Sequence, residues 1–305
     1  MASGGTPAVD VIVVNFNTGE ALARCLEAAL GQDDTATLTV VDNASSDDSA
    51  DRAARQFSGD SRFQLLRNAD NRGFARAVNQ AVGQAVRHVE QQASGAYWLI
   101  LNPDCDLQAG SLAVLRQALA ADGSAALAGP LLTDAEGRPQ RANLRRFPTP
   151  WTSLVTFSGL WRLERFWPLF RGVEWPAPLP REVTPAEAVS GACMLVEKTA
   201  FRRVGGMDEA YRLHGEDLDL MYRLRQNGGH CLFVPQARAI HRQGLSSRSR
   251  PWWAHWQKHR GMQRFFLKFQ APQYAVLLRW PRSLLVLTGI WARFVLTLPL
   301  VLLRR

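Results

Sequence analysis

Tyr97-Trp98-Leu99-Ile100-Leu101-Asn102-Pro103-Asp104-Cys105-Asp106 runs from a short apolar stretch straight into a polar turn that carries two carboxylates. An unbroken apolar run of this length, closed by turn residues, reads as a strand covered on both faces, as strands of parallel sheets are. The same grammar repeats upstream. Residues 11–14 form an apolar strand, and Leu22, Cys25, Leu26 and Ala29 then mark one face of a helix. Residues 38–41 form a second strand ending at Asp42. Ser46-Asp47-Asp48 then cap a helix containing Ala50, Ala53, Ala54 and Phe57. Residues 63–66 are a third strand and residues 74–92 a long helix, before the run at 97–101. Strands alternating with helices predict a right-handed α/β sheet, whose ligands bind beyond the carboxyl ends of the strands. Asp42, Asp104 and Asp106 all fall just past such ends.

Downstream, residues 138–185 break the alternation. They are rich in proline and tryptophan (Trp151, Trp161, Trp167, Trp175) and read as a long irregular excursion with one short helix, the kind of loop that usually carries function. The alternation resumes with a strand at 192–196, a helix at 216–227 closed by Gly228, and a strand at 231–235. From Pro251 onward the tail mixes Trp252, Trp253, Trp256, Phe265, Phe266 and Phe269 with Lys258, Arg260, Arg264 and Lys268. Residues 284–303 are almost wholly apolar, broken by Arg293 and Pro299. No internal repeat is evident.

Composition narrows the function classes. The chain has 305 residues, 47% of them apolar, enough for a full core and not the profile of a disordered chain. The net charge of +9, nearly all from arginine, calls for an anionic partner: nucleic acid, membrane surface or phosphorylated substrate. Cys25, Cys105, Cys193 and Cys231 are scattered without a C-x-x-C pair, so they read as small buried apolar residues rather than a zinc site or disulfide framework. The first ten residues lack the pattern of a signal peptide, which predicts a cytoplasmic protein. Asn15-Phe16-Asn17-Thr18-Gly19 follows the first strand where a dinucleotide fold needs G-x-G-x-x-G, and no Walker loop occurs, so nicotinamide and P-loop enzymes are disfavoured. A nucleotidyltransferase would need a glycine-rich, basic loop at that place.

A D-x-D pair can gather a hard cation such as Mg²⁺ or Mn²⁺, which in turn bridges phosphate oxygens. Alone, such a pair commonly marks only a solvated turn. Here Asp42 stands at another strand end, and Glu216-Asp217-x-Asp219 opens a helix. An acidic first turn also suits the helix dipole, a reading that fits Asp219 well.

Taken in order, these segments resemble family 2 of the glycosyltransferases, above all its bacterial rhamnosyltransferase-like branch, over roughly residues 9–245 with a looser echo to 270. The matching segments are Asn15-Phe16-Asn17, Val40-Val41-Asp42-Asn43-Ala44-Ser45-Ser46-Asp47, Asn71-Arg72-Gly73-Phe74-Ala75 with Asn79, and Asn102-Pro103-Asp104-Cys105-Asp106. Further matches are Gly191-Ala192-Cys193-Met194-Leu195, Gly205-Gly206-Met207-Asp208-Glu209, Glu216-Asp217-Leu218-Asp219-Leu220 with Arg223, and His241. The resemblance implies a GT-A type, Rossmann-like mixed sheet flanked by helices. It implies a catalytic domain at 1–245 (donor half about 9–106, acceptor half about 107–245) and a C-terminal helical extension at 246–305.

The same resemblance implies the roles. Asn15, Asn17, Asp42, Asn71, Gly73, Asn79 and Asp104 would bind a nucleotide-diphosphate sugar, with dTDP-rhamnose as the donor the branch suggests. Asp104, Asp106 and His241 would hold Mg²⁺ or Mn²⁺ on its diphosphate. Asp217 would be the base that takes the proton of the acceptor hydroxyl during one inverting attack. Gly191, Glu216, Arg145 and Arg146 would face a glycan or polyprenyl-linked acceptor of cell-envelope polysaccharide synthesis; the paired arginines suit a diphosphate but also read as surface charge. His214-Gly215 replaces an aromatic residue of the family, leaving room on the acceptor side. A catalytically silent nucleotide-sugar-binding or scaffold protein is the reading from another class, against which the joint presence of Asp104, Asp106 and Asp217 argues.

Nine of the ten tryptophans lie at position 151 or later, beside arginine, a pairing that suits an anionic membrane interface. Residues 284–303 are just long enough to span a bilayer. A central arginine costs roughly 2.5–3.5 kcal/mol there, so a peripheral or re-entrant tail is expected on the inner face of the cell membrane. For residues 252–270, packing back onto the catalytic domain is the open alternative. Nothing resembling a nucleic-acid motif accompanies the basic tail.

Overall fold

The computed structural model describes residues 9–89, 95–242 and 251–303. The chain begins β1 (Val9–Asn15), α1 (Glu20–Leu30), β2 (Thr35–Asp42), α2 (Ser49–Phe57), β3 (Phe63–Arg67), α3 (Phe74–Val89) and β4 (Tyr97–Leu101). After the acidic turn come β5 (Cys105–Leu107), α4 (Ser111–Ala121) and β6 (Ala125–Thr133). The excursion holds β7 (Leu144–Arg145), α5 (Pro150–Ser158), short 3₁₀ turns and β8 (Thr184–Ala186). The closing part is β9 (Ala188–Val189), β10 (Cys193–Glu197), α6 (Lys198–Arg203), α7 (Glu216–Gln226), β11 (His230–His241), α8 (Pro251–Phe265) and α9 (Val276–Leu302).

The main sheet runs β3-β2-β1-β4-β10-β6-β11-β5, with β8 also on β11, while β7 and β9 form a separate pair. β3, β2, β1 and β4 are mutually parallel, whereas β10 is antiparallel to both β4 and β6. The expected mixed α/β sheet is therefore present. Both faces are covered: Leu22, Leu26, Leu112 and Leu115 pack on one side, and Ala77, Val78, Phe201, Leu220 and Leu224 on the other. Each fully buried leucine of this kind contributes about 1.5–3 kcal/mol. All four cysteines are buried and free.

Several elements exceed the sequence reading. β6 carries Gly129-Pro130, a pair that reads as a breaker, yet it lies between β10 and β11. The register with β11 slips just after Pro130, between Val234 and Arg238, an irregularity that accommodates a residue with no N–H to donate. A Cβ at position 129 would stand 2.7 Å from a Val189 methyl, so only glycine lets β9 approach. β11 does not stop near Pro235 but continues to His241. The expected helix at 74–92 is seen to Val89, and residues 90–92 lie outside the described residues. The excursion is less irregular than expected, since α5 starts with a Thr149/Thr152 capping box and β7 pairs with β9.

α8 and the turn after it pack back onto α7, as the alternative reading of 252–270 held. Phe265 and Phe269 are buried against Tyr222, and a Cβ on Gly261 would collide with the His214 carbonyl. α9 follows α8 and leaves most of its surface bare: only 11% of its most apolar stretch is buried, and it is long and apolar enough to cross a membrane.

Candidate active site

Side-chain amides lace the loops after β1, β2 and β3 together. Asn15 is wholly buried, donates to Asp42 Oδ1 (2.8 Å) and Ser49 Oγ (2.8 Å), and accepts from Thr18 Oγ1 (2.5 Å). Asp42 also accepts from the Ser45 hydroxyl at 2.6 Å. Asn17, at φ +54°, accepts from Ser46 N (2.7 Å). Asn43 donates to Asn71 Oδ1 (3.1 Å) and accepts from Asn68 Nδ2 (3.1 Å) and Arg72 N (3.1 Å). The helix after β2 is capped from Asp47 rather than by the Ser46-Asp47-Asp48 run as a unit: Ser49 N donates to Asp47 Oδ1 at 3.2 Å, and the Asp48 side chain makes no cap.

This geometry redistributes the expected donor residues. Asn15 and Asn17 serve the loops and so position Asp42 and its neighbours. Gly73 (φ +86°) is needed where a Cβ would press on the Arg212 carbonyl at 3.1 Å. Asn79 clamps the Met207 backbone, donating to its carbonyl and accepting from its N–H, both at 2.9 Å. It joins α3 to the segment before α7. Asn43, quoted only as part of a motif, is the hub of the second and third loops. A buried amide between two loops leaves no periodic trace in the sequence.

At the D-x-D turn, β5 pairs antiparallel with β11, which sets His241 opposite Cys105 and Ile240 opposite Asp106. His241 Nε2 lies 3.3 Å from Asp104 Oδ1, and its Nδ1 lies 3.0 Å from Gln140 Oε1. Asp106 pairs with Arg242 through Oδ2, while its Oδ1 is buried without a hydrogen-bond partner. Among the described residues no three His, Cys, Asp or Glu groups enclose a metal position. That is compatible with a Mg²⁺-type site, which takes one or two carboxylates and completes its shell with substrate phosphates and water. Asp104, His241 and the free oxygen of Asp106 are the residues that fit.

The third part lies at the start of α7. Gly215 (φ +97°) leads into the helix, and a Cβ there would meet the Tyr211 ring at 3.1 Å, so the glycine answers a tight fit rather than opening space for an acceptor. Glu216 is buried with Oε2 unpartnered; burial, then the neighbouring Asp217 charge, pushes its pKa up to about 7. Asp217 is half-buried and paired with Arg145 Nη2 at 2.5 Å. Burial opposes its ionisation, but the charge and hydrogen bond of Arg145 outweigh that and hold its pKa below the usual value. Asp219 is fully buried between Arg223 (2.5 Å) and Lys268 (2.6 Å), which also reaches Asp208 at 2.6 Å. It ties α7 to the π-helical turn that follows α8, matching the structural reading of that acid.

Gly191 connects these parts. A Cβ there would sit 2.7 Å from Asp217 Oδ2, and next to it the Ala192 carbonyl accepts from Asn102 N (2.8 Å), two residues before Asp104. The base candidate and the D-x-D turn thus flank one short backbone link. Arg146 does not join Arg145 there. Its guanidinium pairs with Glu164 (2.5 Å), donates to the Gly172 carbonyl (2.9 Å) and lies over Trp175, bracing the excursion.

Residues 10–174 match the model of Glycosyl transferase family 2, and residues 138–305 match that of Glycosyl transferase family group 2. The chain belongs to glycosyl transferase family 2. It is a sugar transferase. It is 28% identical over 265 residues to an N-acetylglucosaminyl-diphospho-decaprenol L-rhamnosyltransferase of Mycobacterium tuberculosis, covering 79% of this chain and 78% of that one. Its fold is similar to that of GalNAc-T7, solved with UDP, GalNAc and Mn²⁺ (TM-score 0.57, 18% identity, 89% of this chain), of which it spans about half (52%). It is also similar to the mannosyltransferase PcManGT of Pyrobaculum calidifontis, solved with GDP-Man and Mn²⁺ (TM-score 0.56, 18% identity, 97% of this chain and 73% of that one).

Proposed function

We propose that this transferase moves rhamnose, with inversion, from a nucleotide-diphosphate donor to a hydroxyl of a lipid-diphosphate-linked sugar in cell-envelope polysaccharide synthesis. The observation that carries the reading is the short link Asn102–Ala192–Gly191–Asp217, which sets a carboxylate beside the D-x-D turn. Asp42 and Asn71 hold the nucleoside end. A divalent cation held by Asp104, His241 and Asp106 would neutralise charge on the departing diphosphate. The acceptor oxygen bonds to the anomeric carbon as the bond from that carbon to the phosphate oxygen breaks, and the hydroxyl proton passes to Asp217. Gly191 lets the Asp217 side chain pack against the backbone beside the D-x-D turn, and Arg145 keeps the carboxylate charged until the acceptor arrives. Support for the lipid-linked acceptor comes from the named mycobacterial relative, and for the metal from the two Mn²⁺ complexes. The test is transfer by purified protein from a panel of sugar nucleotides, with Mn²⁺ or Mg²⁺ and with chelator. Metal-dependent transfer from dTDP-rhamnose, with the product anomer inverted, is expected; retention of configuration, or rates equal with and without metal, would overturn the mechanism.

The catalytic unit spans residues 1–245 in this reading, and residues 246–305 are the extension that brings it to the cytoplasmic face of a membrane. α9 exposes Leu277, Trp280, Leu284, Leu285 and Leu296, and the excursion exposes Trp151, Leu154, Phe157, Phe166, Trp167 and Leu169. The Arg293 guanidinium lies 5.5 Å over the Phe157 ring, joining the two apolar surfaces. The arginine expected to oppose membrane contact is thus turned inward, away from the bare face of α9. In flotation assays the full chain should rise with liposomes containing anionic lipid, and a chain ending at residue 275 should not. A full-length protein that never floats rules the surface out.

A further inference from the structure

A cavity of about 600 Å³ lies between α8, the segment that leads into α7, and Trp291 of α9, a size ordinary for a small-ligand site. Trp256, Arg260 and Gln263 follow one another on α8 at steps of four and three residues, so one face of that helix forms the longest wall. Trp256 and Trp291 close the α9 side with their ring centroids 4.7 Å apart, and Trp291 Nε1 donates to Gln263 Oε1 at 3.0 Å. Asp42, Asp104, Asp106 and Asp217 do not line this space, so it is separate from the site described above.

Four cations line the cavity and no aspartate or glutamate does. Two of the four are committed elsewhere, since Arg264 and Lys268 pair with Asp208 at 2.8 and 2.6 Å. Arg212 and Arg260 are exposed, and neither pairs with a carboxylate among the described residues. Gln257 lines the same space and is only 8% exposed, yet its amide hydrogen-bonds to no described residue. A buried amide without a protein partner is costly, and a bound anion with acceptor oxygens would satisfy it together with the two arginines.

Trp291 indicates what the anion is attached to. Leu284 stands seven residues before it and Val295 four after it, on the same face of α9, and they are 67% and 64% exposed. The α9 wall of the cavity is thus continuous with a bare apolar strip. We infer that the cavity seats the phosphate head group of an anionic membrane phospholipid, with Arg212, Arg260 and Gln257 on the phosphate oxygens and the acyl chains laid along Leu284 and Val295. The inference rests on the membrane surface proposed above and adds to it a site for one lipid molecule. A soluble phosphate ester would meet the arginines but leave the apolar strip bare. A zwitterionic lipid would bring its ammonium group against a cationic lining.

Calorimetry of the full chain with dihexanoyl phosphatidylglycerol, a lipid short enough to stay monomeric, tests the seat without a bilayer. Dihexanoyl phosphatidylcholine and glycerol phosphate are the parallel probes, and wild type should bind phosphatidylglycerol best of the three. Arg212→Gln and Arg260→Gln should each weaken that binding roughly 10-fold, the worth of one charge-assisted contact, and Arg260→Lys should restore part of the loss. Lys258→Ala removes a charge from α8 outside the cavity and should bind as wild type does. Both arginines are exposed, so thermal midpoints should stay near that of wild type and distinguish lost binding from a lost fold. Equal binding of phosphatidylglycerol by wild type and Arg260→Gln, as large a loss in Lys258→Ala, or glycerol phosphate bound as tightly as the lipid, overturns the seat. Flotation is followed separately: a wild type that binds the monomeric lipid but never floats counts against the membrane surface and leaves the seat standing.

Discussion

Asp217→Asn is expected to bind the donor about as well as the wild type and to lose turnover by roughly 10²–10⁴-fold, the usual worth of a positioned general base. The amide keeps the shape of the carboxylate and can still accept from Arg145, now 2.5 Å from Asp217, so the geometry at the start of α7 is retained. What disappears is the ability to take a proton. Glu216→Gln is the informative comparison. With its pKa pushed up to about 7 by burial, Glu216 is largely neutral below that pH, and glutamine imitates the neutral acid. Its folded pKa lies above the unfolded value, so the wild-type side chain costs stability as pH rises through about 7. The glutamine variant should therefore melt at or above the wild-type temperature at alkaline pH, with a smaller loss of turnover. Asp219→Asn should mainly destabilise, because it loosens the contacts to Arg223 and Lys268. Steady-state transfer, donor affinity and thermal midpoint of each variant decide the matter. A base one residue earlier would show as lost turnover in Glu216→Gln with Asp217→Asn near normal.

Asp104→Ala is expected to remove the metal-dependent part of nucleoside-diphosphate affinity, by roughly 10²-fold or more, since even partners of a metal ligand are worth 10–100-fold. The fold should persist. The Asp104 carbonyl, which accepts from Arg242 N at 2.9 Å, is untouched, and the lost side chain meets only His241 among the pairs at this turn. Asp106→Ala should follow it, because Oδ1 of Asp106 is the buried acceptor left without a partner. Titrating nucleoside diphosphate with and without Mn²⁺ measures both. Undiminished metal-dependent affinity in the two variants would remove the D-x-D turn from the site.

The strand ends were legible because their physics is local. Parallel strands covered on both faces must be apolar along their length, so the first polar residues after them mark the rim where ligands bind, and Asp42 and Asp104 were found that way. The acidic opening of α7 was equally visible. The resemblance of ordered segments to one family then named the chemistry that bare spacing could not. His241 shows the limit of local reading: β11 was expected to stop near Pro235, and the histidine reaches Asp104 only because the strand continues and pairs with β5.

Length, composition and periodicity by themselves determined an α/β sheet, its acidic strand ends, the place where the alternation breaks and an apolar tail, since each depends on residues near one another in the chain. Which charge meets which was decided by tertiary structure alone. Adjacent Arg145 and Arg146 part company, one to Asp217, 72 positions away, the other to Glu164. Asn79, expected at the donor, spends its amide on Met207, and Arg293 turns from an apolar helix toward Phe157 and Met262. A long polar side chain takes whichever partner the packing of distant elements brings within about 3 Å, and no local pattern records that choice.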